Sequence, residues 1–359
     1  MKTATCCLCL FCLLSGLSAA AQTSQKRTFG QWFQKTFTEI DTTYIDENKY
    51  NLAFMLEQSF WGENYHFTAK TGSKGKQSIS FAPDITPKIG FYFGWRWIFL
   101  GMAFNTSDLF GKNKEEASKK EFVVNLYSSR FGVDLYYRKT GSDFHISSYS
   151  NFNIPEDYIG QKFQGFKSVI KGVNTYWIFN NRKFSYPAAY SQSTNQRVSC
   201  GSFMAGMSYT YHDIQFDYTK LPQAMIPNVD ASLKFEDLEY RDISLSFGYG
   251  YNWVFAKNCL FNLSLMPAIA YKKTKINGVP THSSTNWSSW MDDINFDLVT
   301  RAGLTWNNSK YFVGATLLIN TYGYSNDKLT MYDSFGSLRI YAGFNFWKKR
   351  QYRDTSTRK

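Results

Sequence analysis

The sequence predicts an all-β protein, a transmembrane antiparallel up-and-down β-barrel of 12 or 14 strands with a short N-terminal periplasmic segment. Three observations predict this fold: an export leader, long segments that alternate every second residue, and short connections that alternate with long ones. Aromatic and charged residues each make up 19% of the 359 residues, whereas soluble domains carry about 25% charged residues. Mean hydropathy is -0.37. Past the leader no run approaches the ~18 apolar residues of a membrane-spanning helix, which excludes helical membrane proteins.

Residues 1–21 are predicted to be a signal peptide. Lys2 supplies a positive N-terminus, an apolar run follows, and Ala19 to Ala21 form a small-residue cleavage site. We therefore expect export and residence in the cell outer membrane. Four of the six cysteines lie in this leader, so the mature chain keeps Cys200 and Cys259, too few for a disulfide framework or a metal cluster.

The spacing of apolar residues and the distribution of charge divide the rest of the chain into three segments. Residues 22–48 form a predicted periplasmic segment, residues 49–347 the barrel domain, and residues 348–359 a basic C-terminal tail. Within the first segment five apolar residues have near-helical spacing, which indicates a short amphipathic helix. They are Phe29, Trp32, Phe33, Phe37 and Ile40.

The barrel strands are predicted from alternation. From Asp242 to Phe255 the odd positions hold large apolar residues and the even positions mostly small or polar ones. These fourteen residues exceed the 5 to 6 usual for soluble strands and suffice for the ~9 to 11 that cross a bilayer. Similar alternation occurs in 294–306, in 311–319 and in the last strand, which ends at Phe346. A soluble β-sandwich would also alternate, so the connections must separate the two folds.

Connection lengths favour the membrane barrel. Short segments rich in Asn, Lys and Arg follow aromatic strand ends, and long polar stretches lie between them, as in outer-membrane proteins. The long stretches are 62–77, 106–120, 139–165, 220–238, 273–292 and 322–334. Further tight turns are expected near 94–97, near 128–130 and at His212-Asp213. A seventh outer loop is expected at 190–199, which would place Cys200 near the outer rim and Cys259 near the inner rim.

Side-chain parity predicts which polar residues face the lumen. Facing charges must pair or be hydrated, so they either close the barrel as a cross-lumen network or line a wet passage. The sequence leaves both outcomes open. The lumen-lining candidates are Asp134, Tyr136, Arg138, Asp217, Asp242, Asp297, Arg301, Arg339 and Tyr341.

Three functions are compatible with such a barrel. A passive or gated channel for a small solute is favoured over a structural or surface-interaction barrel without transport, and over a lipid-modifying hydrolase. We expect that the chain is not an enzyme. The esterase alternative rests on two H-x-S pairs, at His145 and His282, for which the sequence places no orienting carboxylate. No phosphate loop or dinucleotide fingerprint is present, so neither a cofactor nor a metal is expected.

The expected partners follow from compartment and fold. They are outer-membrane lipid, the outer-membrane insertion machinery and a small solute. The insertion machinery is expected because the final strand ends in an aromatic-rich run at Phe346. Export argues against a nucleic-acid partner.

Several stretches resemble a known family. They are 80–101, 121–141, 170–202, 251–258 and 335–346, and the most specific is the run NNRKFSYPAAYSQS within the third. In these stretches the chain is similar to exported Gram-negative proteins described as domain of unknown function 4421. The resemblance implies an outer-membrane barrel and no established activity, and it supplies no catalytic residue.

Overall fold

A computed structural model describes residues 39–70, 76–95, 98–106, 120–140, 143–277, 279–280, 293–325 and 329–353. The predicted signal peptide, almost all of the predicted amphipathic helix and the pair at His282 lie outside these residues. Among the described residues, no helix is long and apolar enough to cross a membrane.

Strands make up most of the described chain. In chain order they are β1 (Ile45–Glu47), β2 (Tyr50–Ala69), β3 (Ser78–Pro83), β4 (Thr86–Trp95), β5 (Ile98–Asn105), β6 (Lys120–Tyr127), β7 (Phe131–Lys139), β8 (Phe144–Ser150), β9 (Phe166–Ile178), β10 (Thr194–Gln196), β11 (Cys200–Phe216), β12 (Asp237–Ala256), β13 (Cys259–Ile276), β14 (Val279–Pro280), β15 (Ile294–Asn307), β16 (Tyr311–Ser325) and β17 (Leu329–Lys348). The helical elements are α1 (Tyr186–Tyr190) and short 3-10 turns at Tyr218–Lys220, Ile226–Asn228, Ala231–Leu233 and Arg350–Tyr352.

Twelve strands form a closed antiparallel ring in chain order: β2, β4, β5, β6, β7, β9, β11, β12, β13, β15, β16 and β17. The ring closes where β17 pairs with β2, from Leu329 opposite Ala69 to Lys348 opposite Tyr50. β3 and β8 extend from β2 outside the ring, so the longest hydrogen-bonded path contains fourteen strands. The all-β up-and-down barrel and its strand number are therefore confirmed. Among the described residues, the thinnest seam lies between β5 and β6, where a single pair, Ile98 and Leu126, is present.

The predicted parity is present in β12. Its odd positions are exposed on the outer surface, with Phe247 at 56%, whereas Asp242 on the inner face is fully buried. β15, β16 and β17 repeat this arrangement with outer residues such as Phe296, Val313 and Ile340. A continuous band of exposed apolar side chains is unfavourable in water and typical of a lipid-facing surface.

The two ends of the barrel differ. One end, here called the short-connection end, holds the turns at 128–130, 257–258 and 308–310 and both ends of the described chain. The opposite, long-connection end contains an aromatic cluster that joins β2, β3, β8, β9 and β11 to the 3-10 turns. In this cluster the ring centroids of Phe67 and Phe81 lie 6.3 Å apart, and each lies 5.2 to 6.1 Å from those of Phe166 and Phe216.

Two predicted connections are wrong, and most of a third, 322–334, lies within β16 and β17. His212 lies within β11, paired with Ile170 and Tyr240, so no turn occurs there; a buried polar side chain inside a barrel resembles a turn residue in sequence. Residues 190–199 belong to the connection between the neighbours β9 and β11, at the short-connection end. Cys200 therefore lies at the same rim as Cys259, and not at the opposite one.

Candidate functional site

The connection between β9 and β11 folds into the barrel as a plug. We call residues 179–199 the plug loop. Its short helix α1 is buried and reaches the inner face of β13, where Tyr190 Oη donates to Asn262 Oδ1 at 2.6 Å and Tyr186 Oη lies 3.1 Å from Ser264 Oγ. The plug loop thus enters the lumen at the short-connection end.

The plug loop is held from both sides. Ser185 is the N-cap of α1, and its hydroxyl accepts from Ala188 N, which satisfies a free helix donor. Gln196 Oε1 accepts from Ser185 N at 2.8 Å and from Asn252 Nδ2 at 2.9 Å. β10, which lies in the plug loop, also pairs with β1, so residues 45–47 hold the loop by backbone hydrogen bonds.

Above the plug, a buried ion pair crosses the barrel. Arg301 on β15 contacts Asp134 on β7 at 2.5 Å between Nη2 and Oδ2, and its guanidinium lies 5.1 Å from the ring of Tyr176. With its amide oriented to suit both neighbours, Asn125 donates to Asp134 Oδ1 and accepts from Arg339 Nη2. The two arginines are therefore linked through one carboxylate and one amide.

A second group centres on Glu121. Its carboxylate accepts from Lys88 Nζ at 2.6 Å and from Arg138 Nε at 3.0 Å. Arg138 also lies 4.2 Å from the ring of Phe335 on β17. A buried carboxylate with two cationic donors is well compensated.

A third group centres on Lys272, which is fully buried. Its ammonium lies 2.8 Å from Asp297 Oδ1 and 3.4 Å from Asp242 Oδ2, and it donates to Gly323 O at 2.7 Å. Two carboxylates are thus neutralised by one lysine. Sequence reasoning missed Lys272 because the run YKKTK resembles a loop, although the parity of β13 continued through position 272 predicts an inward side chain.

A histidine and an aspartate meet nearer the long-connection end. His212 Nδ1 lies 2.9 Å from Asp333 Oδ2, both side chains being fully buried, but without the alignment of a hydrogen bond. Tyr240 Oη donates to the same carboxylate at 2.9 Å, and its ring stacks on His212 at 4.2 Å. No substrate could reach this pair without rearrangement, because both residues are enclosed.

The lumen-lining candidates have these positions. Seven lie buried inside the barrel: Asp134, Tyr136, Arg138, Asp242, Asp297, Arg301 and Tyr341. Arg339 is partly exposed and contacts Glu57 at 3.6 Å.

Asp217 differs from the other candidates and corrects the parity argument. It follows the end of β11 and caps the 3-10 turn 218–220, with a side chain 44% exposed. Hydrogen bonds from the Thr219 side chain, and then from its backbone, lower the pKa of Asp217. Parity failed here because the alternation was continued past the strand.

The interior contacts join opposite walls of the ring. Tyr136 and Tyr322 lie on strands six places apart among twelve, yet their hydroxyls are 3.2 Å apart. Arg301 and Asp134 are five places apart. Side chains from facing walls therefore meet at several levels. In the described part of the chain no group of three or more His, Cys, Asp or Glu residues could hold a metal ion.

The closed ring, its apolar outer band and its polar interior define an outer-membrane type of β-barrel. Residues 39–346 match the family described as domain of unknown function (DUF4421). The chain belongs to this family. No curated protein matches it.

Solved structures share the barrel architecture at low similarity. The outer-membrane protease OmpT from Escherichia coli has a TM-score of 0.37 and 6% identity, covering 85% of this chain and 100% of its own. The translocator domain of the autotransporter NalP from Neisseria meningitidis has a TM-score of 0.27 and 10% identity, covering 82% of this chain and 89% of its own. The toluene transporter TodX from P. putida has a TM-score of 0.20 and 9% identity, covering 83% of this chain and 91% of its own.

The first of these likenesses contradicts one expectation. The prediction that the chain is not an enzyme is wrong, because one of the barrels that the chain is similar to is a protease. At this level of similarity the likeness assigns no activity to the present chain, so any argument for an activity must come from its own side chains.

Proposed function

We propose that the protein is an outer-membrane β-barrel that is closed at rest and acts through its rim surfaces rather than as a standing passage for solute. The exposed apolar band supports placement in a membrane, because large side chains such as Phe247 and Phe296 point outward from the alternating strands. The signal predicted at residues 1–21 supports the outer membrane as the compartment.

One observation carries the closed state: side chains from opposite walls touch. Three contacts span the lumen at separate levels. They join Tyr136 to Tyr322, Arg301 to Asp134, and the Arg138 guanidinium to the ring of Phe335. The plug loop fills the short-connection end. A passing solute would have to separate buried ion pairs, and each separation is costly in a low-dielectric interior. These contacts argue against the open channel that the sequence favours.

Planar-bilayer recording tests the proposal. The folded protein should give no steady conductance, because side chains from facing walls are in contact across the interior. The double variant Tyr136→Ala with Tyr322→Ala removes a contact between opposite walls and should produce brief openings. Phe247→Ala is the matched control, since it truncates an aromatic ring on the outer face and should stay silent. Steady ohmic conductance from the unmodified protein would refute the closed state.

A hydrolase is the second candidate, and one observation favours it. His145 Nδ1 lies 3.3 Å from Asp84 Oδ1, with side chains 28% and 55% exposed. This supplies the carboxylate that the sequence could not place, on the nitrogen that orients a catalytic histidine. Ser147 lies two residues along β8, beside the register shift between β3 and β8, and its hydroxyl is 3.4 Å from Asn64 Oδ1.

Ester hydrolysis distinguishes this candidate. If the group is catalytic, reconstituted protein should cleave a lipid acyl ester, and Ser147→Ala or His145→Ala should each reduce turnover by ~10³ or more. Ser148→Ala is the matched control, because the adjacent hydroxyl contacts Ser80 instead. Absence of hydrolysis above the uncatalysed rate, in protein shown to be folded, would remove the candidate.

A further inference from the structure

The tryptophans of the described chain are distributed unequally. Of six, only Trp61 lies inside the barrel. The other five are exposed on the outer surface at the short-connection end: Trp95, Trp177, Trp253, Trp306 and Trp347. Exposed tryptophans collected at one level are typical of the headgroup region of a membrane, where an amphipathic ring has one apolar and one wet side.

The same rim carries a large excess of positive charge. Its described cationic residues are Lys49, Arg130, Arg182, Lys183, Arg197, Lys257, Lys310, Lys348, Lys349, Arg350 and Arg353, and its acidic residues are Glu39, Asp41, Asp46 and Glu47. Three of these acids form ion pairs with Arg182, Arg197 and Lys349. Most of these cations therefore form no ion pair with the described acids of the rim.

The long-connection end has no comparable excess among the described residues. Its surface cations are Lys70, Lys76, Lys120, Lys139, Lys162, Lys167, Lys171, Lys220, Lys234, Arg241, Lys273 and Lys275, and its surface acids are Asp84, Asp143, Glu156, Asp157, Asp213, Asp217, Asp230, Glu236, Asp237, Glu239 and Asp293. The two signs nearly cancel there. Among the described residues, the excess of positive charge is thus confined to one rim.

Cations and aromatic rings are in contact at this rim. The Arg130 guanidinium lies 5.5 Å from the Trp177 ring, Lys310 lies 5.1 Å from the Tyr311 ring, and Arg353 lies 5.9 Å from the Trp347 ring. Such pairs place a donor for an anion at the depth where the aromatic ring contacts lipid.

We propose that the short-connection rim binds the phosphate headgroups of anionic phospholipids in the adjoining leaflet. The inference rests on the membrane placement proposed above and adds the lipid class. Charge complementarity favours an anionic headgroup over a zwitterionic one, and the girdle of tryptophans fixes the rim at headgroup depth.

Quenching of the rim tryptophans tests the proposal. The full mature chain is reconstituted into mixed vesicles in which either phosphatidylglycerol or phosphatidylcholine carries brominated acyl chains. The ratio of quenching gives a relative binding constant for the two lipids. We expect a preference of about fivefold for phosphatidylglycerol, the scale expected for one basic residue near an anionic surface, and a decrease in 0.5 M salt.

Two triple variants of equal charge change identify the rim. Lys257→Glu, Lys310→Glu and Arg350→Glu together should bring the relative constant close to one. The control, Lys167→Glu with Lys273→Glu and Lys275→Glu at the opposite end, should keep the preference.

The possible failures are distinguishable. A constant of one in the unmodified protein, or equal loss in both triple variants, would overturn the lipid inference alone. Absence of quenching by either brominated lipid would overturn the membrane placement as well.

Discussion

Replacing Lys272 by methionine removes the one ammonium that neutralises two carboxylates inside the barrel. Methionine keeps an unbranched side chain of similar length, so the variant tests charge more than volume. Asp297 at 2.8 Å and Asp242 at 3.4 Å both lose their cation, and Gly323 O loses a donor. The two carboxylates then remain buried and unneutralised.

The magnitude follows from the distances. At an effective dielectric constant of about 20, unit charges 2.8 Å apart attract by about 6 kcal/mol, and charges 3.4 Å apart by about 5 kcal/mol. Desolvation of three buried ions offsets much of this attraction, and broken buried pairs typically lose about 3 to 5 kcal/mol. Because one lysine serves two carboxylates, we expect a loss of about 4 to 5 kcal/mol in the free energy of unfolding.

Urea unfolding of the vesicle-reconstituted barrel measures this loss through tryptophan fluorescence, extrapolated linearly to water. Lys273→Met, the next residue on the outer face, should change stability by less than about 0.5 kcal/mol. Adding Asp242→Asn and Asp297→Asn to Lys272→Met should restore at least half of the loss, because no uncompensated charge remains. A loss below about 1 kcal/mol for Lys272→Met would refute the assigned network.

Three further outcomes are expected. Phe247→Arg should lower the unfolding free energy by about 2 to 4 kcal/mol in vesicles, against a small change for Phe247→Leu; equal effects would contradict a lipid-facing surface. Gln192→Ala should cost about 1 to 3 kcal/mol in urea unfolding, since it leaves the buried Tyr341 hydroxyl without its 2.9 Å donor. Because hydrogen bonds from Thr219 lower the pKa of Asp217, its cap stabilises the turn above the ordinary carboxyl pKa and is lost as pH falls through the lowered value. The protection factors of the amides in residues 218–220, taken against the intrinsic exchange rate at each pH, should therefore decrease on acidification, and Asp217→Asn should remove most of this dependence.

The fold was largely predictable because alternation is a local property. Each residue of β12 faces lipid or interior according to its own position, so Phe247 and Asp242 could be assigned to faces without any tertiary knowledge. The same reasoning placed Asp297 and Arg301 on the inner face. It failed at Asp217, where no strand continued.

The partners of the interior residues could not be predicted. Arg301 and Asp134 are 167 residues apart, and Tyr136 and Tyr322 are 186 apart. Which side chains meet across a lumen depends on strand number, tilt and register of the whole ring, and none of these is a local property. The sequence therefore leaves both a wet passage and a closing network open, and the cross-lumen distances support the closed state proposed above.

The plug loop explains why the sequence left the strand count open. Counting 14 strands takes 190–199 as a seventh outer loop, with a strand around 183–190 leading to it. In the structure 21 residues connect two neighbouring strands at the short-connection end, and a connection this long can be accommodated there because its polar groups find partners inside the barrel. Asn252 and Asn262 on the inner faces of β12 and β13 supply those partners. Loop length alone therefore does not identify the rim, and inward amides facing a long connection are the sequence feature that would indicate a plug.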